Sequence, residues 1–403
     1  MPHFEKMLYD NALLIDLLTW VWLDTGDPLY AARVDETVAW ALREMRASAD
    51  GKGGQAFASA FDADSEGVEG KFYVWTEAEI DALLKADSPA FKQAYDVTSA
   101  GNWEGRTILN RSSRPDSAGD GAPGDKLARC REKLFAARRD RVAPGRDHKV
   151  LADWNGMMIA ALANAGAAFD KAEWQSAGEA AFSFVCRNMM RENGRLFHSW
   201  CAGRPGHDAV LDDYASMSRA ALALFEAMGN VAYLDRAKAW VNCADAHYWD
   251  ENGGYFFTAE DSTDPIVRPK IIADNATPAG NGVMAEVLAR LFHHTGDDRY
   301  RRRAADLFRT FSAEAPEPLV SHGSLLNGFE LMEGAVRIDI AGDPCHPATQ
   351  ALLRAVHQAP LPTRVLSLNP AREATPATTV CADQACGPPF SDPEALSREL
   401  SRL

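Results

Sequence analysis

Two adjacent carboxylates followed by a phenol, Asp212-Asp213-Tyr214, stand at the predicted start of a helix. Successive helical side chains diverge by about 100°, so one carboxylate can cap the helix while the other faces a cavity. Glycoside chemistry asks for such a pair, one member kept protonated by its surroundings and the other ionised. Tyr214 adds a donor for a hydroxyl group. The competing reading of the pair is a double N-cap. A second set, His3, Glu5, Lys6 and Asp10, lies near the start of the chain. There His3 can serve as a general acid or base near neutral pH, although Glu5 and Lys6 also read as a structural ion pair. Asp212, Asp213, Glu5, His3 and Asp10 are the candidate catalytic residues.

Candidate binding residues surround them in the sequence pattern. Asp62, Asp64 and Glu66 with Gly67 imitate the first positions of a calcium loop. The twelfth position is Tyr73 rather than Glu, so the bidentate ligand is missing and no metal is expected. Asp62, Asp64 and Trp75 read instead as the wall of a mouth. Trp103 and Glu104 can stack on and hydrogen-bond a sugar ring, although Trp is also a common core residue. Asp153, Trp154, Asn155, Tyr214 and Asn281 complete the binding set. His198, His207 and His322 receive no role, and no cofactor is expected.

These residues share a place in a repeat. Turns ending in the aromatics Tyr30, Trp174, Tyr233 and Tyr300 are each preceded by an apolar-periodic segment and followed by an Ala-rich one. The pattern predicts paired helices at 10–23 with 29–47, 153–168 with 171–190, 212–228 with 231–247, and 280–294 with 297–312. The first of each pair is expected inside and the second outside. Leu13, Leu14, Leu17, Leu18 and Val21 read as a buried face. The wide gap between Tyr30 and Trp174 predicts a diverged repeat between 80 and 145. Stacked hairpins bury a continuous core. They put the long loops and the first-helix N-termini at one end, which gathers the candidate carboxylates there. Crowding should raise the pKa of Asp212 or Asp213. A tail over 336–403 reads as β-α-β, with 371–389 as loop, which leaves 1–335 as the helical domain.

Composition narrows the class. The chain has 403 residues, a formal charge of −15, 46% hydrophobic and 25% charged residues. That is an ordinary folded globule, and its acidity opposes nucleic-acid binding. No apolar stretch is long enough to cross a bilayer, and no membrane partner is expected. Seven Cys without a disulfide spacing fit a reducing, cytoplasmic setting.

Several ordered motifs resemble one family: Pro2-His-Phe-Glu-Lys-Met-Leu-Tyr-Asp-Asn11, Asp62-Ala-Asp-Ser-Glu-Gly-Val-Glu-Gly-Lys-Phe-Tyr-Val-Trp75, Gly101-Asn-Trp-Glu-Gly105, Asp153-Trp-Asn-Gly156, Leu211-Asp-Asp-Tyr-Ala215 and Gly253-Gly-Tyr-Phe-Phe-Thr258. This is the spermatogenesis-associated protein 20, or thioredoxin-domain-containing, group, and the resemblance runs along the whole chain. It implies a mainly α fold, an (α/α)6 toroid of the six-hairpin glycosidase type with a small C-terminal β-α-β unit. It also implies that the chain starts inside the toroid, with the first hairpin and a thioredoxin-like domain absent. By analogy of fold, the implied function is carbohydrate-active: sugar isomerisation or epimerisation, or glycoside cleavage, on a small sugar-like substrate. The alternative is a non-catalytic scaffold or redox accessory to a thioredoxin-like domain, for which Cys381 and Cys386 are the candidate redox pair.

Overall fold

The computed structural model describes residues 3–47, 55–112, 121–262, 267–312, 319–370, 375–382 and 385–403. Residues 50–54 of the first long loop and 371–374 of the tail lie outside them. The chain is mainly helical, with 55% helix and 15% strand. Its helices are α1 (Leu8–Thr25), α2 (Pro28–Glu44), α3 (Glu77–Leu84), α4 (Ser88–Ala94), α5 (Gly121–Arg138), α6 (Ala152–Ala168), α7 (Ala172–Asn188), α8 (Leu211–Met228), α9 (Val231–His247), α10 (Gly280–Thr295), α11 (Asp298–Ser312), α12 (Gly323–Gly334), α13 (Pro347–His357) and α14 (Pro393–Leu400). The chain divides into two compact units. One comprises 1–7, 27–32 and 60–147, the other 8–26, 33–59 and 148–403.

In the larger unit the four predicted helix pairs are α1/α2, α6/α7, α8/α9 and α10/α11. Helices α1, α6, α8, α10 and α12 pack in succession, each against the next. Helices α7, α9 and α11 lie on their hairpin partners. This is the α/α toroid arrangement, an inner row of first helices backed by second helices. Burial follows from it, since α6 has neighbours on three sides and nearly every one of its residues is buried. Two glycines allow the close approaches. A Cβ on Gly156 would stand 2.7 Å from the Ser216 backbone, and one on Gly328 would stand 2.7 Å from the Ala285 Cβ. The anchoring aromatics Trp174, Tyr233 and Tyr300 are buried. The Tyr233 hydroxyl donates to Glu179 Oε1 at 2.7 Å.

The predicted leucine face of α1 is corrected. The buried residues are Leu8, Ala12, Ile15 and Thr19, whereas Leu14 and Leu17 are 49% and 58% exposed. Leu8, Ala12, Ile15 and Thr19 recur at helical spacing on the buried face, and Leu14 and Leu17 lie off it.

The loops preceding inner helices are pinned by one recurring device. Asn155 Oδ1 accepts the Phe57 N–H at 2.9 Å, while its Nδ2 donates to the carbonyls of Phe57 and Leu151. Asn281 treats Tyr255 the same way and also donates to the Ile271 carbonyl. On α8 the Tyr214 hydroxyl accepts the Leu196 N–H at 3.0 Å. Helices α6, α8 and α10 thus each fix a loop near their N-terminus through a side chain of the first turn.

The tail is a four-stranded sheet. Val336–Ala341 pairs in parallel with Arg364–Asn369 and antiparallel with Ala377–Ala382, and the latter also pairs with Ala385–Cys386. Helices α13 and α14 contribute Leu352, Val356, Leu396 and Leu400 to the sheet's apolar cluster with Ile338 and Leu366. The expected loop over 371–389 is therefore corrected. Thr378 and Val380 alternate inward along a strand, and period-2 burial outweighs the Ala/Thr/Pro composition. Cys381 and Cys386 face each other across its last turn and are joined as a disulfide.

The smaller unit replaces the expected diverged hairpin. Short antiparallel strands at Lys6–Met7, Ala60–Phe61 and Arg146–Asp147 pair. Helices α3, α4 and α5 enclose Trp75, Ile80, Leu84, Phe91, Val97, Cys130 and Leu134. Thr76 and Glu79 form a capping box on α3, so the helix starts are locally encoded. Helices α3 and α4 span eight and seven residues, too short for a toroid hairpin.

The pinning device has a measurable cost of removal. Asn155→Ala or Asn281→Ala would each orphan three backbone groups, and each should lower stability by about 2 kcal/mol or more. The check is a drop in urea midpoint at unchanged m-value.

Candidate acid–base site

The N-termini of α6 and α8 lie side by side, and a hairpin of the strands Phe197–Cys201 and Arg204–Asp208 crosses them. Asp213 is the best satisfied residue there. It is fully buried. Its Oδ2 accepts the Val210 N–H at 2.8 Å and its Oδ1 accepts the Asp153 N–H at 3.1 Å. His198 Nδ1 stands 3.1 Å from both of its oxygens. Asp213 therefore caps α8, ties it to α6 and fixes one imidazole. Its hydrogen bond raises the His198 pKa to about 9, against the opposing effect of burial, so the ring is an imidazolium at neutral pH.

The neighbouring carboxyls respond in the opposite sense. Burial, reinforced by the charge of Asp213, raises Asp153 to about 7, although His198 and the Trp154 N–H oppose the shift. Burial and Asp213 also raise Asp212 to about 6. The N-terminal dipoles favour the anions, yet desolvation and like charge prevail. Two carboxyls with pKa values near neutrality thus stand beside an imidazolium.

Asp212 accepts the Gly280 N–H at the start of α10, and neither it nor Asp153 is among the lining residues of the cavity in this unit. That cavity, a cleft of about 460 Å³, is lined by Leu13, Asp16, Leu17 and Trp20 of α1, Asn164 of α6, Arg219, Ala223 and Glu226 of α8, and residues of α10, α12 and 362–364. Asp212 lies two turns before Arg219 on the same face of α8, and Asp153 lies three turns before Asn164 on the same face of α6. Asp213 is about 100° away from that face, toward the hairpin strand. Asp153, His198 and Asp213 each offer a ligand atom within 4.8 Å of one another. Asp213 already accepts two backbone N–H groups and the imidazole, and we read the group as a closed hydrogen-bond network rather than a ligand set.

The other candidates fall in varied places. Trp154 is half-buried and meets Tyr9 edge-on at 4.8 Å, and Asp10 is exposed on α1. Asn155 and Asn281 are fully buried with their amides committed to backbone, and Tyr214 is a buried loop anchor. These three are positioning residues, which corrects their assignment to substrate. His3, Glu5, Asp62, Asp64, Trp75, Trp103 and Glu104 belong to the smaller unit. There His3 and Glu5 form an exposed pair at 3.8 Å, and Asp62, Asp64 and Glu104 are exposed. Trp103 packs edge-on against Phe4. Trp75 is buried under the Arg141 guanidinium, 4.0 Å from its ring, so it is core rather than wall. Sequence reasoning left His198 without a role because its partner lies on another element. The signal available was its position in the segment that joins α7 to the Asp-Asp helix.

No family model matches the chain. The chain is 29% identical over 467 aligned residues to mouse spermatogenesis-associated protein 20 and 29% identical over 461 to the human protein. These alignments cover 99% of this chain and 58% of each relative, so the chain spans less than two thirds of their length. An uncharacterised Caenorhabditis elegans protein is 26% identical over 85% of this chain. Among solved structures, the GH76 α-mannanase of Bacteroides thetaiotaomicron aligns over 98% of this chain and 86% of its own, at 10% identity and a TM-score of 0.48. A D-mannose isomerase aligns over 77% and 76%, at 11% identity and a TM-score of 0.38. Cellobiose 2-epimerase of Bacillus thermoamylovorans aligns over 40% and 44%, at 16% identity and a TM-score of 0.35. Among the described residues no helix is long and apolar enough to cross a membrane.

The electrostatics of the cluster fix the sign of its pH dependence. His198 has a folded pKa above its unfolded value, so its contribution is complete below about pH 6.5 and is lost as pH rises through about 9. NMR titration of the ring should show this midpoint, and Asp213→Asn should bring it down toward 6.5. Asp153 is also raised, so its ionisation costs stability as pH climbs from about 4 through 7. Asp153→Asn should therefore melt higher than the parent at pH 8, by a margin that closes at pH 4.

Proposed function

We propose that the chain is a carbohydrate-active acid–base protein: a sugar isomerase or epimerase, or a glycoside hydrolase. The observation that carries this reading is the pair Asp153 and Asp212. Both are raised toward neutrality, and they stand together at the adjoining N-termini of α6 and α8. A carboxyl near neutral pKa can donate a proton to a leaving or carbonyl oxygen and take one back later. Two such carboxyls together satisfy the requirement shared by isomerisation and glycosidic cleavage. His198, held by Asp213, supplies fixed positive charge beside them. Asp213 serves as a positioning residue. The step from toroid to sugar chemistry is an analogy of fold, and the cytoplasmic setting and a thioredoxin-like partner remain part of the proposal.

The test is direct. With a turnover assay on a saccharide panel, Asp212→Asn and Asp153→Asn should each lower kcat by well over tenfold while the circular-dichroism spectrum is unchanged. Asp213→Ala should instead lower the melting temperature, because it leaves two buried N–H groups unpaired. If both Asn variants turn over sugar like the parent, the carboxyls are helix caps and the scaffold reading replaces this one.

A further inference from the structure

The cleft is lined by a ladder of matched charges, with Arg364 and Glu330 beside it. Asp16 Oδ2 accepts from Arg219 at 2.8 Å and its Oδ1 accepts from Asn164 at 3.2 Å. Arg219 also donates to Glu286 at 3.1 Å, and Glu286 accepts from Arg290 at 2.9 Å. Arg290 then donates to Glu226 and to the Arg364 carbonyl. Arg364 itself lies over the Trp20 ring at 4.9 Å. Each guanidinium that enters from a helix is thus held by two carboxylates.

We propose that this cleft is a binding subsite for a second, uncharged sugar ring, so that the substrate is an oligosaccharide taken up end-first. The proposal rests on the carbohydrate reading above and deepens it. Depth is the first argument. The cleft lining runs from Pro278, just before α10, to Arg290, about 18 Å along that helix, a column longer than one sugar ring. Residues 362–364 line it beside Arg290, which donates to the Arg364 carbonyl, so a ligand entering at the Pro278 end stops there. Charge is the second argument. A carboxylate or phosphate on the ligand would meet four carboxylates, Asp16, Glu226, Glu286 and Glu330, against three guanidiniums, Arg219, Arg290 and Arg364, of which the first two are already engaged. Neutral hydroxyls can bridge matched acceptors and donors without breaking a pair. The cleft volume of about 460 Å³ lies in the range of small-molecule sites.

The test uses the full chain and calorimetric titration with neutral gluco- and manno-oligosaccharides of one to three rings, and with glucuronate and mannuronate. Binding should tighten at least tenfold from one ring to two, and the uronates should bind at least tenfold more weakly than the neutral sugars. Asn327 lines the cleft from an exposed position on α12, so Asn327→Trp should fold and block it. This variant should erase the gain from the second ring and leave single-ring binding unchanged. Equal affinity for one and two rings, tighter uronate binding, or an Asn327→Trp variant that keeps the two-ring gain would overturn the subsite. Those outcomes leave the Asp153 and Asp212 reading standing if their Asn variants still lose turnover. A two-ring gain with no loss of turnover in those variants would keep the subsite and remove the catalytic reading.

Discussion

The ion-pair ladder Asp16–Arg219–Glu286–Arg290–Glu226 is the interaction on which the larger unit depends. It joins α1, α8 and α10, and through the Arg364 carbonyl it reaches the tail strand. Burial opposes the charges of Arg219, Glu226, Glu286 and Arg290. Even so, Arg290 and His294 hold Glu226 down to about 2, and Arg219 and Arg290 hold Glu286 below its usual range. A buried pair is only weak evidence for stability, but removing one member strands an uncompensated charge. The ladder therefore acts as a constraint: the inner helices can take only the register in which all five groups meet.

That register sets what happens at the other end of the same helices. Once α8 is fixed by Arg219 and Glu226, Asp212 must face the start of α10, and Asp213 must turn toward the strand that carries His198. Asn155, Tyr214 and Asn281 then hold the loops against the helix starts, so the carboxyls are desolvated rather than left in open water. Stability and chemistry are divided between neighbours in sequence. Asp213 is saturated with hydrogen bonds, whereas Asp153 and Asp212 are held where ionisation is costly, the compromise expected where a site is maintained against stability.

The helix pairs were legible from the sequence because they are encoded locally. Turn glycines, anchoring aromatics and apolar periodicity need no distant partner, and the parallel strands 336–341 and 364–369 with their crossover helix follow the same logic. The placement of Asp-Asp at a helix start was equally readable, as was the division of labour open to two carboxylates 100° apart. The sequence could not assign His198 to Asp213, because fourteen residues and the turn of a hairpin lie between them. Nor could it tell that Leu14 and Leu17 of α1 would lie off the buried face, or that Asn155 and Asn281 would spend their amides on backbone. It also missed the strand at 377–382, whose inward Thr378 and Val380 are recognisable only once a neighbouring strand exists, and the disulfide that closes it. Periodicity specifies which residues share a face. Only the packed structure decides what that face meets, because burial, hydrogen-bond satisfaction and the pKa of a carboxyl are properties of its neighbours in space.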